Sequence, residues 1–162
     1  MFRLLLAFVA LASAAFVWWS GQMLPAQVAS RFDSQGVVVS WMSRETFIGL
    51  MLLLASVMPT VTALLQMRNS RLSRTRIPNP EHWYAEPRRN ATVAYLEAHA
   101  AVFATALSVF MCFVFWRVVA AHLGSPQAPV LDKQLFLLGL GVFVAFAVGW
   151  TVLRHQHFRR IA

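Results

Sequence analysis

The residues of this chain that could do chemistry lie in two polar segments, one on each side of the second apolar run. In residues 24–44, the run Asp33-Ser34-Gln35-Gly36 has turn chemistry, because Asp accepts local backbone hydrogen bonds and glycine is free to take a positive φ. The valines at 37–39 follow with strand propensity. We predict a small hairpin or lid folded over the helix ends, with Phe32 and Trp41 as its apolar anchors. The candidate binding residues of this outer loop are Pro25, Arg31, Phe32, Asp33, Gly36 and Trp41.

The second polar segment, residues 68–97, carries six arginines and three prolines. Its candidate binding residues are Asn79, Trp83, Arg88 and Arg89. Arginines near a membrane surface can bind anionic lipid headgroups, or they can serve only to orient the chain. We favour orientation, because these arginines are spread along the segment rather than grouped at one place.

Known catalytic patterns are absent from the sequence. There is no P-loop, GxGxxG, GxSxG or HExxH motif, and six acidic residues are too few to suggest a paired-carboxylate site. His155 and His157 could ligate a metal, but side chains two residues apart on a helix point about 200° apart. His82, His99 and His122 lie in separate segments, so we interpret the histidines as solvated or interfacial. No enzymatic activity, metal site or cofactor is expected.

The composition is that of a membrane protein. Hydrophobic residues make up 59% of the chain and charged residues only 12%, against roughly 25% charged residues in a soluble domain. The net charge of +8 would suit nucleic acid. The basic residues, however, lie in the gaps between apolar runs, as the positive-inside rule expects. We therefore exclude a nucleic-acid partner.

Four apolar runs each approach the length of about 20 residues that crosses a hydrocarbon core. The predicted spans are residues 4–23, 46–67, 98–119 and 134–153. A signal peptide with Ala12-Ser13-Ala14 as its cleavage box is an alternative for the first run. That run continues to Trp19, which favours an uncleaved helix. We predict an all-α fold, an integral membrane four-helix bundle with a short structured outer loop, as one domain over residues 1–162.

Local signals mark a helix start and a break in the second span. Ser43 is the expected N-cap, with Glu45 in the first turn, where the helix dipole favours a carboxylate. Pro59 lacks the N–H that would bond back to Ala55, so a kink is expected there.

Small residues recur at every fourth position on the third and fourth spans, which lets membrane helices approach closely. The two stripes are Ala100, Ala104, Ser108 and Cys112, and then Gly141, Ala145 and Gly149. We expect the fourth-span stripe to pack against another helix.

With four spans, both termini and the 68–97 segment lie on the same side of the membrane. That side carries ten of the 14 basic residues, among them Arg3, Arg154, Arg159 and Arg160. Because positive loops stay in the cytoplasm, we place this side there and the 24–44 loop outside. The expected location is the bacterial inner membrane, with both termini cytoplasmic.

The two polar segments resemble those of a bacterial membrane domain of unknown function that also forms the N-terminal part of SdpI-like immunity proteins. The first match comprises Leu24, Pro25, Val28, Phe32, Gly36, Trp41, Ser43 and Arg44. Ala29 stands where relatives usually have Pro, and Arg31 where they usually have His. The second match is residues 77–89, in which the usual Pro-Glu order is inverted as Glu86-Pro87. For the SdpI-like relatives, the resemblance implies protection against a secreted antimicrobial peptide and envelope signalling.

We therefore expect a binding or interaction protein of the bacterial envelope, of the immunity or sensor kind. Its expected partners are membrane lipid and either a secreted peptide or another membrane protein. A small transporter, or an accessory subunit of a membrane complex, is the alternative. The polar groups within the spans can bond their own helix backbone, which gives the transporter alternative little support.

Overall fold

The computed structural model describes residues 2–125 and 127–159. Arg160, which the charge count placed beside the other basic residues of the tail, lies outside these ranges. The elements in chain order are α1 (Phe2–Gly21), β1 (Gln27–Phe32), β2 (Val38–Ser43), α2 (Arg44–Arg71), α3 (Pro80–Trp83), α4 (Arg89–Gly124) and α5 (Lys133–Arg159).

Four of these helices, α1, α2, α4 and α5, are long and apolar enough to cross a membrane. The predicted all-α four-helix bundle is confirmed, and the predicted structured loop is a two-stranded antiparallel sheet. At 1.5 Å per residue, the 36 residues of α4 extend about 54 Å, well beyond a hydrocarbon core of about 30 Å. The predicted third span, residues 98–119, is therefore only the middle part of α4.

The chain runs up and down the bundle, so that its connections fall at two ends. We call the end that carries β1 and β2 the hairpin end, and the end that carries residues 72–88 the arginine end. Beneath the hairpin, Val17, Val28, Phe47 and Phe115 are buried in one core cluster. The hairpin is therefore continuous with the hydrophobic core rather than a detached loop.

The second spanning helix begins at the predicted N-cap and contains a π-helical turn just before Pro59. The Ser43 hydroxyl accepts a hydrogen bond from the Thr46 N–H at 3.2 Å, which confirms the N-cap. Ahead of Pro59, residues 53–57 form one π-helical turn, and the Thr60 hydroxyl donates to the Ser56 carbonyl at 2.7 Å. The helix thus passes the proline through a wider turn, and the Thr60 hydroxyl adds a bond to the carbonyl one turn before it.

The two stripes of small residues behave differently. Ala100, Ala104 and Ser108 are buried in the bundle, where α4 packs against α1 and α2. The expectation that Gly141, Ala145 and Gly149 pack against another helix is wrong for the described chain: Ala145 is exposed, and no atom lies within 4 Å of a Cβ built on either glycine. Helix α5 approaches α4 through a different face, because a Cβ at Gly139 would overlap the Phe113 ring.

Candidate functional site

The hairpin has an irregular register that sets the position of Arg31. Ala29 lies opposite Trp41, and Arg31 lies opposite Ser40, so the strand β1 contains one extra residue at that point. Phe32 then pairs with Val38, which places an extra residue on β2. Such bulges bend a strand and change the direction of its side chains. The candidate residue Arg31 therefore lies at a distortion of the sheet.

Asp33 and Gly36 shape the tip of the hairpin. The Asp33 Oδ1 atom accepts hydrogen bonds from the N–H groups of Gln35, at 2.7 Å, and Val37, at 2.9 Å. Gly36 has a φ of +82°, and a Cβ there would lie 2.5 Å from the Leu131 carbonyl oxygen. The Leu131 N–H donates to the Gly36 carbonyl at 3.1 Å. Asp33 therefore holds the turn together, and Gly36 fastens the tip to the connection between α4 and α5.

His122 fixes the base of the hairpin to α4, and sequence reasoning missed it. Its side chain is 2% exposed, so the interpretation of a solvated histidine is wrong. Its Nε2 atom accepts the Ala29 N–H at 3.2 Å, while Nδ1 lies 2.9 Å from the Val118 carbonyl oxygen. Because Nε2 accepts, the proton belongs on Nδ1, which donates to Val118. The spacing in the sequence could have predicted its burial, because His122 lies one helical turn beyond Val118 on the buried face of α4.

Four of the six candidate residues of the hairpin line one cavity of about 400 Å³, which we call the hairpin cavity. Those four are Arg31, Phe32, Asp33 and Gly36. Val118 of α4 and Phe136 of α5 line its apolar side, and Lys133 adds a second cation beside Arg31. The cavity can hold a group that is apolar on one side and anionic on the other.

The remaining two candidates, Pro25 and Trp41, lie away from the hairpin cavity. Phe32 packs against the core as predicted, but Trp41 is 44% exposed and makes a T-shaped contact with His122, with ring centroids 6.3 Å apart. Trp41, predicted as an apolar anchor, is thus only partly covered, whereas Val28 and Ala29 have no exposed surface.

A ribbon of exposed apolar side chains begins one residue before the second strand of the hairpin and continues into that strand. Val37, Val39 and Trp41 are 53%, 56% and 44% exposed. These three exposed side chains lie within five residues of one another at the bulged start of β2, where they make a short apolar surface. We call this surface the hairpin ribbon. It lies on a two-stranded sheet, and each strand of such a sheet has an outer edge without a strand partner.

At the arginine end, two of the four candidate residues, Trp83 and Arg89, form hydrogen bonds to other segments of the fold. The Trp83 Nε1–H donates to the Phe158 carbonyl at 3.0 Å, and the Trp83 carbonyl accepts from the Thr92 hydroxyl at 2.8 Å. The Arg89 guanidinium donates to the Arg71 carbonyl at 3.0 Å. The other two candidates, Asn79 and Arg88, are exposed, and Asn79 takes a left-handed φ of +51° just before α3.

A column of stacked rings joins α4 and α5 near the arginine end. His99 stacks on Trp150 with centroids 4.2 Å apart, and Tyr95 stacks on His157 at 4.0 Å. The Trp150 Nε1–H donates to the His99 carbonyl at 3.2 Å. His99 is buried, so it is a second histidine for which the solvated interpretation is wrong. The histidines thus have a packing role in the contact between these two helices.

The geometry of both ends suits binding through shape and charge. In the described residues, no group of three or more His, Cys, Asp or Glu side chains is arranged to hold a metal ion. Searches of protein-family models, of curated proteins and of solved structures found no match for this chain.

Proposed function

We propose that this chain is a binding protein of the bacterial inner membrane whose hairpin docks an extended peptide outside the cell. The peptide is either secreted or part of another membrane protein. The hairpin ribbon of Val37, Val39 and Trp41 is the observation that carries the proposal. Extended peptides bind exposed sheet edges through backbone hydrogen bonds, and alternate side chains then supply specificity.

The attachment of the hairpin to the bundle supports this function. The base is held by the bond from Ala29 to His122, and the tip by the bond from Leu131 to Gly36. A surface that is already ordered loses little conformational entropy on binding, so more of the interaction free energy becomes affinity.

The hairpin cavity supplies the positive charges that recognise the peptide. Arg31 and Lys133 both line it, and one oxygen of its only acidic lining residue in the described chain, Asp33, is engaged by the turn. A carboxylate of the peptide, in a side chain or at its C-terminus, matches this pair of cations. Attraction between such charges also speeds association.

The resemblance to SdpI-like immunity proteins supports a protective or sensing role for this docking. The excess of basic residues at the arginine end supports placing the hairpin outside, where a secreted peptide arrives. The same orientation leaves both termini in the cytoplasm.

The test combines a deletion strain with two matched substitutions. Val39→Asp places a charge on the hairpin ribbon, and Val130→Asp places one on a comparably exposed valine of the α4–α5 connection. We expect the deletion to reduce tolerance to secreted antimicrobial peptides. The parent gene and the Val130→Asp gene should restore tolerance, and the Val39→Asp gene should not.

A photocrosslinker at position 39 in native membranes provides the direct measurement. We expect it to capture a peptide or protein partner that the same crosslinker at position 130 does not capture. Unchanged tolerance in the deletion strain, together with no captured partner, would refute peptide docking.

One observation favours a second candidate, an accessory subunit of a membrane complex. Within the described chain, Phe158 is the only buried side chain of α5, and the face with Gly141 and Gly149 is open. A helix of another subunit can approach closely on such a face. Gly141→Leu should then release a co-purifying subunit, whereas Gly49→Leu, at an equally open glycine of α2, should retain it. An equal yield of the subunit from both variants would exclude this face.

A further inference from the structure

A second cavity with charged walls lies at the arginine end, remote from the hairpin. It has a volume of about 280 Å³ and lies between the last turns of α5 and residues 76–78. Arg76, Arg154 and His155 supply its polar groups, and Ile77, Val152 and Phe158 its apolar floor. We call it the arginine cavity.

The arginine cavity is built by a core contact. Ile77 is buried against Phe158 and Leu96, which pins the segment after α2 to the end of α5. Arg154 lies four residues before Phe158, and residues at that spacing share a helix face. The buried contact therefore brings Arg76 and Arg154 to the same opening, although they lie far apart in the chain.

The charges of the arginine cavity have no counterion in the described chain. None of the described residues lining it is Asp or Glu, and neither arginine forms a hydrogen bond or an ion pair with another described residue. Glu97, which is a carboxylate of the same end, is already paired with Arg71. The cavity is therefore suited to an anion from outside the chain, and guanidinium groups match phosphate oxygens well.

An apolar track leads from the arginine cavity towards the middle of the membrane. Val152 lines the cavity, and Val148 and Val144 follow it at four-residue spacing on α5. These three side chains are 46%, 58% and 49% exposed. They offer an open surface along which a hydrocarbon chain can lie, directly beyond the cations.

We propose that the arginine cavity binds the phosphate of an anionic membrane lipid, with one acyl chain along Val152, Val148 and Val144. The cations hold the headgroup at the level where α5 leaves the membrane, and the valines hold the chain. The site lies at the opposite end of the bundle from the hairpin and does not depend on peptide docking. It gives two of the scattered arginines a specific ligand, whereas the sequence allowed lipid binding but favoured an orienting role.

The test is lipid binding by the full chain in detergent, measured by native mass spectrometry. The probes are phosphatidylglycerol, phosphatidylcholine, and glycerol 1-phosphate, which has the phosphate but no acyl chain. We expect a one-to-one adduct with phosphatidylglycerol at concentrations at least about tenfold below those needed for phosphatidylcholine or glycerol 1-phosphate. An arginine at the membrane surface stabilises a bound anionic lipid, and the loss of each such arginine should weaken lipid binding about fivefold.

The variant Arg76→Gln/Arg154→Gln should therefore bind phosphatidylglycerol about 25-fold more weakly than the parent. The control Arg74→Gln/Arg159→Gln removes the same charge from the same two segments, at exposed arginines that do not line the cavity. It should bind within about twofold of the parent, because contact rather than net charge decides affinity.

If both double variants weaken phosphatidylglycerol binding equally, the proposed site is overturned, because the lipid would then be attracted by the net charge of this end and not by the cavity. Glycerol 1-phosphate binding as tightly as phosphatidylglycerol would overturn the lipid as ligand and leave a free phosphate ester. A measurement on the parent protein guards against misfolded variants. Raising the volatile salt ammonium acetate to 0.5 M should weaken phosphatidylglycerol binding but leave phosphatidylcholine binding unchanged, because salt screens the charges. Binding of phosphatidylglycerol that is insensitive to salt contradicts the proposal.

Discussion

At the scale of single residues, a buried histidine decides how the hairpin is held. His122 uses both ring nitrogens, accepting from Ala29 and donating to Val118. The Ala29 N–H is buried with its residue, so without His122 it would lack a partner. Water cannot readily replace that partner, and a buried donor left unpaired costs about 1–3 kcal/mol.

Replacing His122 by Phe keeps an aromatic ring, somewhat larger than imidazole, and removes both hydrogen bonds. We expect faster hydrogen exchange of the Ala29 amide, with local stability lower by about 1–3 kcal/mol. His122→Gln is the control, because its side-chain carbonyl oxygen can accept the same N–H, and its loss should be smaller. Equal exchange rates in the parent and the Phe variant would show that the bond does not hold the hairpin.

At the scale of elements, the glycines of α5 separate the face that packs from the face that is open. Gly139 lies against the Phe113 ring of α4, whereas Gly141, two residues later, has no neighbour within 4 Å of a built Cβ. Two residues along a helix rotate the side-chain direction by about 200°. The contact with α4 therefore uses the side of α5 opposite to its stripe of small residues.

Gly139→Val should therefore destabilise the bundle and Gly141→Val should not. The added side chain at position 139 must displace the Phe113 ring, and overpacking of this kind costs about 1–3 kcal/mol. Reversible unfolding in mixed micelles measures the difference. If Gly141→Val loses as much stability as Gly139→Val, α5 is packed through its stripe instead.

At the scale of the whole molecule, the four spanning helices bring charge to one end and an apolar ribbon to the other. The hairpin end carries the ribbon and the hairpin cavity, and the arginine end carries the arginine cavity. The two proposals therefore assign a different class of ligand to each end, a peptide to the hairpin end and an anionic lipid to the arginine end. Which end faces the cytoplasm follows from the charge bias alone.

Cysteine labelling tests the orientation. In a Cys112→Ala background, Gln35→Cys at the hairpin tip should react with a membrane-impermeant reagent in intact cells. Glu86→Cys, exposed at the arginine end, should react only after permeabilisation. The reverse pattern would invert the topology and place the hairpin in the cytoplasm.

Local physics was enough to predict much of this protein from its residues. Apolar runs of about 20 residues are long enough to cross a membrane. Ser43, which precedes Glu45, caps a helix. Turn residues between two strand-forming segments make a hairpin. These signals act within a few residues, so they can be seen in the sequence.

The positions of the binding surfaces depended on contacts between distant residues. His122 meets Ala29 across 93 positions, and Ile77 meets Phe158 at the arginine cavity. The sequence predicted four residues of the hairpin cavity but neither its lining by Lys133 nor the convergence of Arg76 and Arg154. The spacing of apolar residues along a helix predicts that one face is buried. Only the packing of all the helices decides which neighbour that face contacts.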